Sequence, residues 1–509
     1  VTVGRTWAVA LLGLDGSLVE VEADISAQLP KFVIIGLADR SLGEAEGRVR
    51  QAATNAGCRL SGQRITVNLS PASLPKNGSG FDLAIALSCL AADSVVSNES
   101  IDGVVHIGEL GLDGRLRPTP GVLPAVLAAV RAGRKTVMVP AGNEHEARLI
   151  PDVTVIPVAS LREAAIWHGA ALTPVEVAPI LTAATDAETP VDLDLSDIVG
   201  QEDAIQALLV AAAGGHHLMM LGPPGAGKTM LAARLPGILP DLGVTEALDV
   251  TSVRSLAGQP IGTQLVSRPP FESPHHTATT AAILGGGSKL IRPGAAARAA
   301  HGVLFLDEAP EFQANVLDAL RQPLESGTIS IHRANAVAHF PGRFQLVLAA
   351  NPCPCGQYGS RDNSCVCPPA AIRRYLGRLS GPLMDRIDIQ LRMHRISRAE
   401  MVLSGETAGT HSTDARRLVS ETRQRTVSRL AGTGWTTNGQ VPGPWLRAGS
   451  RALPRDVTEP IDRALEHGSI TMRGYDRVLR VAWTLADMDA VPRPEKTHIG
   501  RALFLRKGI

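Results

Sequence analysis

Three groups of residues have types and spacings that suit chemistry. The first is Gly222-Pro223-Pro224-Gly225-Ala226-Gly227-Lys228-Thr229, a G-x-x-x-x-G-K-T pattern. Its glycines let the backbone turn tightly enough for N–H groups to face phosphate oxygens, and a helix starting there adds partial positive charge. Lys228 can reach the β- and γ-phosphates of ATP, and the Thr229 hydroxyl can ligate Mg²⁺. The second group is Asp307-Glu308. Asp307 can hold Mg²⁺, directly or through water, and Glu308 can orient and deprotonate an attacking water. The third is Cys353, Cys355, Cys365 and Cys367, two C-x-C pairs on Pro/Gly-rich knuckles. Four thiolates suit a closed tetrahedral structural Zn²⁺. C-x-C is less usual than C-x₂-C, so free buried thiols and a redox disulfide stand as alternatives.

These residues need elements to hold them. The apolar run Leu218 to Leu221 reads as a buried strand, and Met230, Leu231, Ala232 and Leu235 follow at helical spacing. Strand, glycine loop and helix in that order are the context a phosphate loop requires. Val303-Leu304-Phe305-Leu306 reads as a second buried strand, with the acid pair at its C-terminal end, where open α/β sheets hold ligands. Phe344 to Ala350 is a third, ending on Asn351.

Residues 7–170 alternate short strands with helical patterns. Val19 to Ile25 alternates at period two, and Ile65 to Leu69 and Thr136 to Pro140 also read as strands. Gly111 to Leu116 reads as a strand and turn. Helices are expected over Arg40 to Ala56 and Pro124 to Ala132, and after the glycine loop at Asn77-Gly78-Ser79-Gly80. Residues 171–195, rich in Ala, Thr, Pro and Asp, show no period and read as a linker. Ser196 or Asp197 is the expected cap of a helix running through Ala213.

Length and composition bound the function. A chain of 509 residues suggests about three domains. Aromatic residues are 3%, which argues against a protein built to stack bases. Lys+Arg is 50 and Asp+Glu 49, but the balance is uneven: from Arg373 onward there are 24 basic and 14 acidic residues, leaving 26 against 35 elsewhere. A basic C-terminal third can meet phosphate; an arginine-rich solvated helical domain is the equal alternative. Arg416, Arg417, Arg423, Arg425 and Arg429 recur at helical spacing, and the Gly/Pro-rich stretch Gly432 to Pro454 is expected to be mobile. No apolar run reaches the ~18–20 residues needed to cross a bilayer. The N-terminus has no signal-peptide pattern, and the cysteines do not form a secreted disulfide framework. These features point to a cytoplasmic protein that does not engage a membrane.

Several stretches resemble known families. Leu74 to Leu87 resembles the Lon protease domain, and more closely its non-proteolytic relative in the RadA recombination protein. Aligned on Pro75-Lys76-Asn77-Gly78, the nucleophile position falls on Gly80, and the helix after Gly121 carries no lysine. Ser79 is one position out of register and lacks an activating lysine. A structural or binding module is therefore expected, with roles in ring assembly and DNA contact. Ile198-Val199-Gly200-Gln201 resembles the segment that wraps adenine in AAA+ ATPases, and the strand ending at Asn351 resembles sensor 1. Leu379 to Asp388 is similar to the arginine-finger motif of magnesium chelatase and MCM ATPases, which implies that Arg386 reaches a neighbour's γ-phosphate. Ser469 to Arg480 resembles the sensor-2 helix, with Arg473 on the nucleotide.

The whole pattern resembles the YifB/ComM family of magnesium-chelatase-like AAA+ ATPases. The resemblance implies an α/β fold in several parts: a Lon-protease-like α+β domain without a catalytic dyad (1–170), a linker (171–195), an AAA+ αβα P-loop core with the cysteine cluster (196–395), and a helical C-terminal lid with sensor 2 (396–509). Its catalytic residues would be Glu308, Asn351, Arg386 and Arg473, in a homo-oligomeric ring, a hexamer. Insertions of the MCM type imply pore loops, with Lys289 and Arg333 as DNA contacts; Gly327 to Ala334 reads as a hairpin centred on Gly327-Thr328. His275 and His276 are read as loop residues that contact DNA or support the insertion, with metal ligation as the lesser alternative. Family membership implies a helicase that promotes branch migration on single-stranded or branched DNA during recombination or DNA uptake. The competing readings are a motor that inserts Mg²⁺ into a porphyrin, a remodeller of a protein client, and a non-enzymatic scaffold.

Overall fold

The apolar runs pair into two large sheets, seen in a computed structural model that describes residues 3–36, 44–76, 78–181, 193–287, 291–333, 336–359, 364–396 and 409–507. The first sheet has seven strands in the order Lys31–Ile35, Arg64–Ser70, Asp15–Ser26, Gly4–Leu12, Val105–His106, Thr136–Pro140 and Thr154–Val158. Alternation along Asp15–Ser26 buries Val19, Val21 and Ala23 completely, as a half-buried strand requires. The apolar helix Asp82–Ala92 packs across this sheet. Helices also form at Ala45–Asn55 and Val122–Arg131. The N-terminal part of the expected Arg40 to Ala56 helix includes residues 40–43, which lie outside the described residues, as do residues 182–192 of the expected linker.

The second sheet is all parallel and positions the phosphate chemistry. Its order is Phe271–Glu272, Val303–Leu306, Gln345–Ala350, Leu218–Leu221 and Ile389–Arg392. The central strands are buried along their whole length, and apolar but for Gln345, because helices cover both faces. Since all the strands point the same way, the Gly222 loop, Asp307 and Asn351 emerge together at one edge of the sheet. This mixed α/β layer with a parallel sheet fits a chelatase-type AAA+ core.

Helices Ser412–Arg429, Arg455–Glu466, Met472–Met488 and Lys496–Lys507 follow. They share one hydrophobic core with the strand Leu218–Leu221 and the helix Glu202–Gly214. The N-terminal unit meets the second sheet's unit through a buried polar junction. Glu146 accepts from the Leu123 N–H (2.9 Å) and Asn143 Nδ2 (3.0 Å), and takes the Ser255 hydroxyl from across the junction. The Gly121 N–H donates to Ser255 O at 3.1 Å.

Three local expectations are corrected. The helix near residue 200 starts at Glu202 with Gln201 as its uncapped N-cap, whereas Asp194 caps a separate short turn, Leu195–Asp197. Neither Ser196 nor Asp197 caps the long helix, because Ile198 to Gly200 breaks the chain between them. The hairpin pairs Thr328–Arg333 with Ala336–Pro341, so its tip lies after Arg333. Gly327 instead ends the helix Arg321–Ser326 in a left-handed conformation. The stretch Gly432 to Pro454 is packed: Val441 and Leu446 are buried, and Asn438 donates to Asp487 Oδ2 at 2.9 Å. Gly and Pro there prevent a long helix without preventing burial.

Candidate functional site

The chain leaves the strand Leu218–Leu221, turns through Gly222 to Gly227 and enters the helix Lys228–Ile238. Gly225 and Gly227 hold φ of 78° and 84°, and a Cβ built on either would meet nothing within 4 Å. The loop therefore turns in a way L side chains resist and keeps open space above its backbone, which is the cradle a phosphate chain needs. Lys228 is almost fully buried beneath it. Its ammonium donates to Gly222 O (2.6 Å), Pro223 O (3.0 Å) and Asn351 Oδ1 (3.1 Å). Burial pushes its pKa below the ordinary lysine value, against the pull of Asp307 and Glu308. Pro223, Pro224 and Ala226 shape the loop: Arg395 Nε donates to Pro224 O at 3.1 Å, and Gln201 Nε2 donates to His394 O (2.8 Å) and Ala226 O (3.4 Å).

The Thr229 hydroxyl donates to Asp307 Oδ2 at 2.7 Å, so the two expected Mg²⁺ ligands already converge. Both offer hard oxygen donors with room for waters, as Mg²⁺ demands. Glu308 follows with a left-handed φ of 51°. It faces His276, Nδ1 to Oε2 being 3.4 Å, and the His275 ring lies against that of His276 with centroids 4.1 Å apart.

Arg386 and Arg473 stand together elsewhere. Arg386 is buried, donates to Pro382 O and pairs with Glu325. Burial, and then Arg321, Arg473 and Arg477 nearby, lower its pKa. Arg473 is exposed and reaches Asp385 at 3.4 Å. Both line a cavity of about 680 Å³ together with Arg423, Arg477 and Arg480, and none of Gly222 to Thr229, Asp307, Glu308 or Asn351 lines it. The structure thus gathers Lys228, Thr229, Asp307, Glu308 and Asn351 into one group, and Arg386 and Arg473 into a second.

The four sulfurs of Cys353, Cys355, Cys365 and Cys367 lie within 4.8 Å of one another. Cys353 is 3.3 Å from Cys355 and 3.7 Å from Cys365, and Cys355 is also 3.7 Å from Cys365. All four are free thiols. A tetrahedral ion with Zn–S bonds of about 2.3 Å would hold its sulfurs about 3.8 Å apart, so the set fits. The Gln357 backbone N–H, then the Cys353 and Cys367 thiols, push the Cys355 thiol down to about 6.

Arg333 sits at the end of its hairpin strand, and Lys289 lies outside the described residues. In the first unit, the Ser79 hydroxyl donates to Glu109, while Lys76 is fully buried and donates to the carbonyls of Gly36, Leu69 and Pro71. The expected basic face on Ser412–Arg429 is largely absorbed. Arg423 donates to Ala212 O, Arg425 to Asp487 O and Arg429 to the Asp487 carboxylate, while Arg416 pairs with Asp241 at 2.6 Å. Among the described residues, no helix is long and apolar enough to cross a membrane.

Sequence reasoning missed His276 as a neighbour of Glu308, and missed Arg395 and Gly356 as supports of the glycine loop. The adenine-segment resemblance pointed at Gln201. No sequence signal marked the others, which meet the loop only through the fold.

Comparisons with known proteins agree with this geometry. Family models match residues 194–401 (magnesium chelatase, subunit ChlI), 21–143 (subunit ChlI of Mg-chelatase) and 409–506 (magnesium chelatase, subunit ChlI C-terminal). An uncharacterized protein of Mycobacterium tuberculosis is 46% identical over 505 residues, covering 99% of this chain and 98% of its own. Competence protein ComM of Haemophilus influenzae is 39% identical over 498 residues, covering 98% and 96%. Protein YifB of Escherichia coli is 37% identical over 501 residues, with the same coverage. Identity of this depth over nearly the full length, around a phosphate loop with its acid pair on a parallel sheet, establishes that the chain belongs to the ComM/YifB family of magnesium-chelatase-like AAA+ proteins.

Proposed function

We propose that the chain is a Mg²⁺-dependent AAA+ ATPase that works as a homo-oligomeric ring, a hexamer, and moves or remodels DNA. The observation that carries the ATPase reading is the convergence of Lys228, Asn351, Thr229 and Asp307 on the open glycine loop. Lys228 and the loop N–H groups bind the phosphate chain, and Thr229 and Asp307 would hold Mg²⁺. The ion would neutralise charge on the transferring phosphoryl group. Glu308 takes a proton from the attacking water, and Asn351 orients that water or the γ-phosphate.

Shared sites are supported by the separation of the two groups. Arg386 and Arg473 lie in a cavity that excludes the chain's own glycine loop, so the phosphate they serve belongs to a neighbouring copy. Arg386 must leave Glu325 to reach it. The DNA reading rests on kinship with a competence protein and on the hairpin that carries Arg333. The C-terminal helices and the N-terminal sheet are read as the lid and the Lon-like module. The cysteine cluster is read as a structural Zn²⁺ site, its shell filled by four thiolates.

The test is ATP hydrolysis by the wild type and by Lys228→Ala, with and without single-stranded and branched DNA. DNA-stimulated turnover, abolished in Lys228→Ala, is the expected result. Turnover indifferent to every DNA would overturn the DNA reading and direct the search to a porphyrin or protein client. Absence of any turnover would leave a scaffold.

A further inference from the structure

The cysteine cluster is joined to the nucleotide loop at three points. Asn351, whose side chain accepts from Lys228 Nζ, is followed at once by Pro352 and Cys353, which are buried. Gly356, between the two pairs, turns with φ of 76° and donates its N–H to Cys353 O at 2.9 Å. It lies directly on the nucleotide loop: a Cβ there would stand 2.6 Å from Pro224 Cδ and 3.9 Å from Asn351 Cγ. The second pair, Cys365 and Cys367, leads into the helix Pro369–Leu376, whose buried Tyr375 phenol oxygen faces the Asn351 backbone N–H. Both knuckles thus end on Asn351, one through the chain and one through Tyr375. Pro224 is held between Gly356 on one side and Arg395 on the other.

We propose that a zinc-class divalent ion held by Cys353, Cys355, Cys365 and Cys367 braces the nucleotide loop, so that metal and adenine nucleotide bind with positive coupling. The proposal rests on the nucleotide reading above. The two knuckles meet through their thiols, and an ion shared by all four would give the Gly356 and Tyr375 contacts that set Pro224 and Asn351 a common anchor. With the ion, both contacts are fixed before nucleotide arrives, and the cost of ordering the loop falls. Linkage then requires reciprocity: whatever factor the metal adds to nucleotide affinity, the nucleotide adds to metal affinity.

The test uses the full chain loaded with Co²⁺, whose thiolate absorption bands report its geometry, and fluorescent ADP as the nucleotide probe. ADP is expected to shift the Co²⁺–thiolate bands in the wild type and to leave them unmoved in Lys228→Ala, which keeps the metal. Withdrawal of the metal by a chelator should weaken ADP binding about tenfold, within the ordinary range of coupling between sites, and ADP should slow metal loss to match. Gly356→Ala, which retains all four thiols, should hold Co²⁺ and bind ADP more weakly. Three results would overturn the proposal, and each points to a different failure. No uptake of Co²⁺ or Zn²⁺ removes the metal site. Unmoved bands at saturating ADP, with equal ADP affinity in loaded and stripped chains, remove the coupling alone. A loaded chain that binds no ADP removes the nucleotide reading beneath it.

Discussion

Asp388 offers the sharpest test of how the arginine group is held. It is 1% exposed and accepts from Arg477 Nη1 (3.0 Å) and from the His217 backbone N–H (3.1 Å). It stands two residues after Arg386, and Arg477 stands one helical turn after Arg473, so this ion pair locks the two arginine-bearing segments together. Burial opposes its charge, but Arg477 prevails and holds the carboxyl well below its ordinary value. Asp388→Asn keeps an acceptor for His217 and removes the charge. Breaking a buried pair from one side costs about 3–5 kcal/mol. Arg477 retains 18% exposure and can recover some water, so the lower end, about 3 kcal/mol, is expected. At about 2 °C per kcal/mol for a unit of this size, the melting transition should fall about 6 °C.

The assay is thermal and urea unfolding followed by tryptophan fluorescence, since Trp483 lies in the helix Met472–Met488 and Trp435 and Trp445 pack against the same core. An acid whose folded pKa is depressed contributes stability above its unfolded pKa and loses it as pH falls toward the folded value. The Asp388 charge itself should therefore contribute fully down to its ordinary value of 3.8 and be lost only below it, with His217, which burial lowers to about 4, protonating beside it in the same range. Arg477→Met should show non-additivity with Asp388→Asn. A gap below about 0.5 kcal/mol, the ordinary effect of a surface change, or strict additivity of the two variants, would refute the lock.

Mixing Arg386→Ala with Lys228→Ala chains should restore part of the ATP hydrolysis that each lacks alone, because some interfaces then combine an intact loop with an intact arginine; no recovery at any ratio would remove the shared site. In the N-terminal unit, His106 and His168 join through Nε2 atoms 2.9 Å apart and end on Thr6 and Ser100. Burial lowers His106 well below 6.5 and His168 to about 4, so the unfolded chain binds more protons and stability is lost as pH falls from 6.5 toward 4. Asp82, pushed up to about 6 by burial, runs the other way, and the pH slope of unfolding must be compared between wild type and His168→Asn, read by Trp167; equal slopes would sink the assignment. Arg429→Ala removes the Asp487 and Asn438 contacts and the stacking on Trp483 at 4.4 Å. It should cost about 3 kcal/mol as a pair broken from one side, visible as a red-shifted Trp483 emission at lower urea.

What could be read directly from the chain was whatever is local. A phosphate loop needs its turn, lysine and hydroxyl at fixed spacing, so Gly222 to Thr229 announce themselves; four apolar residues before Asp307-Glu308 do the same for a buried strand end. His276 could not be found that way. It meets Glu308 because Phe271–Glu272 and Val303–Leu306 pair in parallel with a register offset of 32 positions, the same separation as His276 from Glu308. Gly356 is the same case: its neighbour Pro224 is fixed by the pairing of Leu218–Leu221 with Gln345–Ala350. Charge counting left two readings open, phosphate contact and an arginine-rich helical domain, because it cannot see where an arginine points. The basic surplus after Arg373 is real, but Arg423, Arg425 and Arg429 point at Ala212 O and Asp487 because a buried carbonyl or carboxylate needs a donor more than water needs an arginine. Arg386 is tied as well, to Glu325 and Pro382 O, but burial first, and then the neighbouring charges of Arg321, Arg473 and Arg477, work against its charge there, so an anion entering the cavity would compete with Glu325 for it.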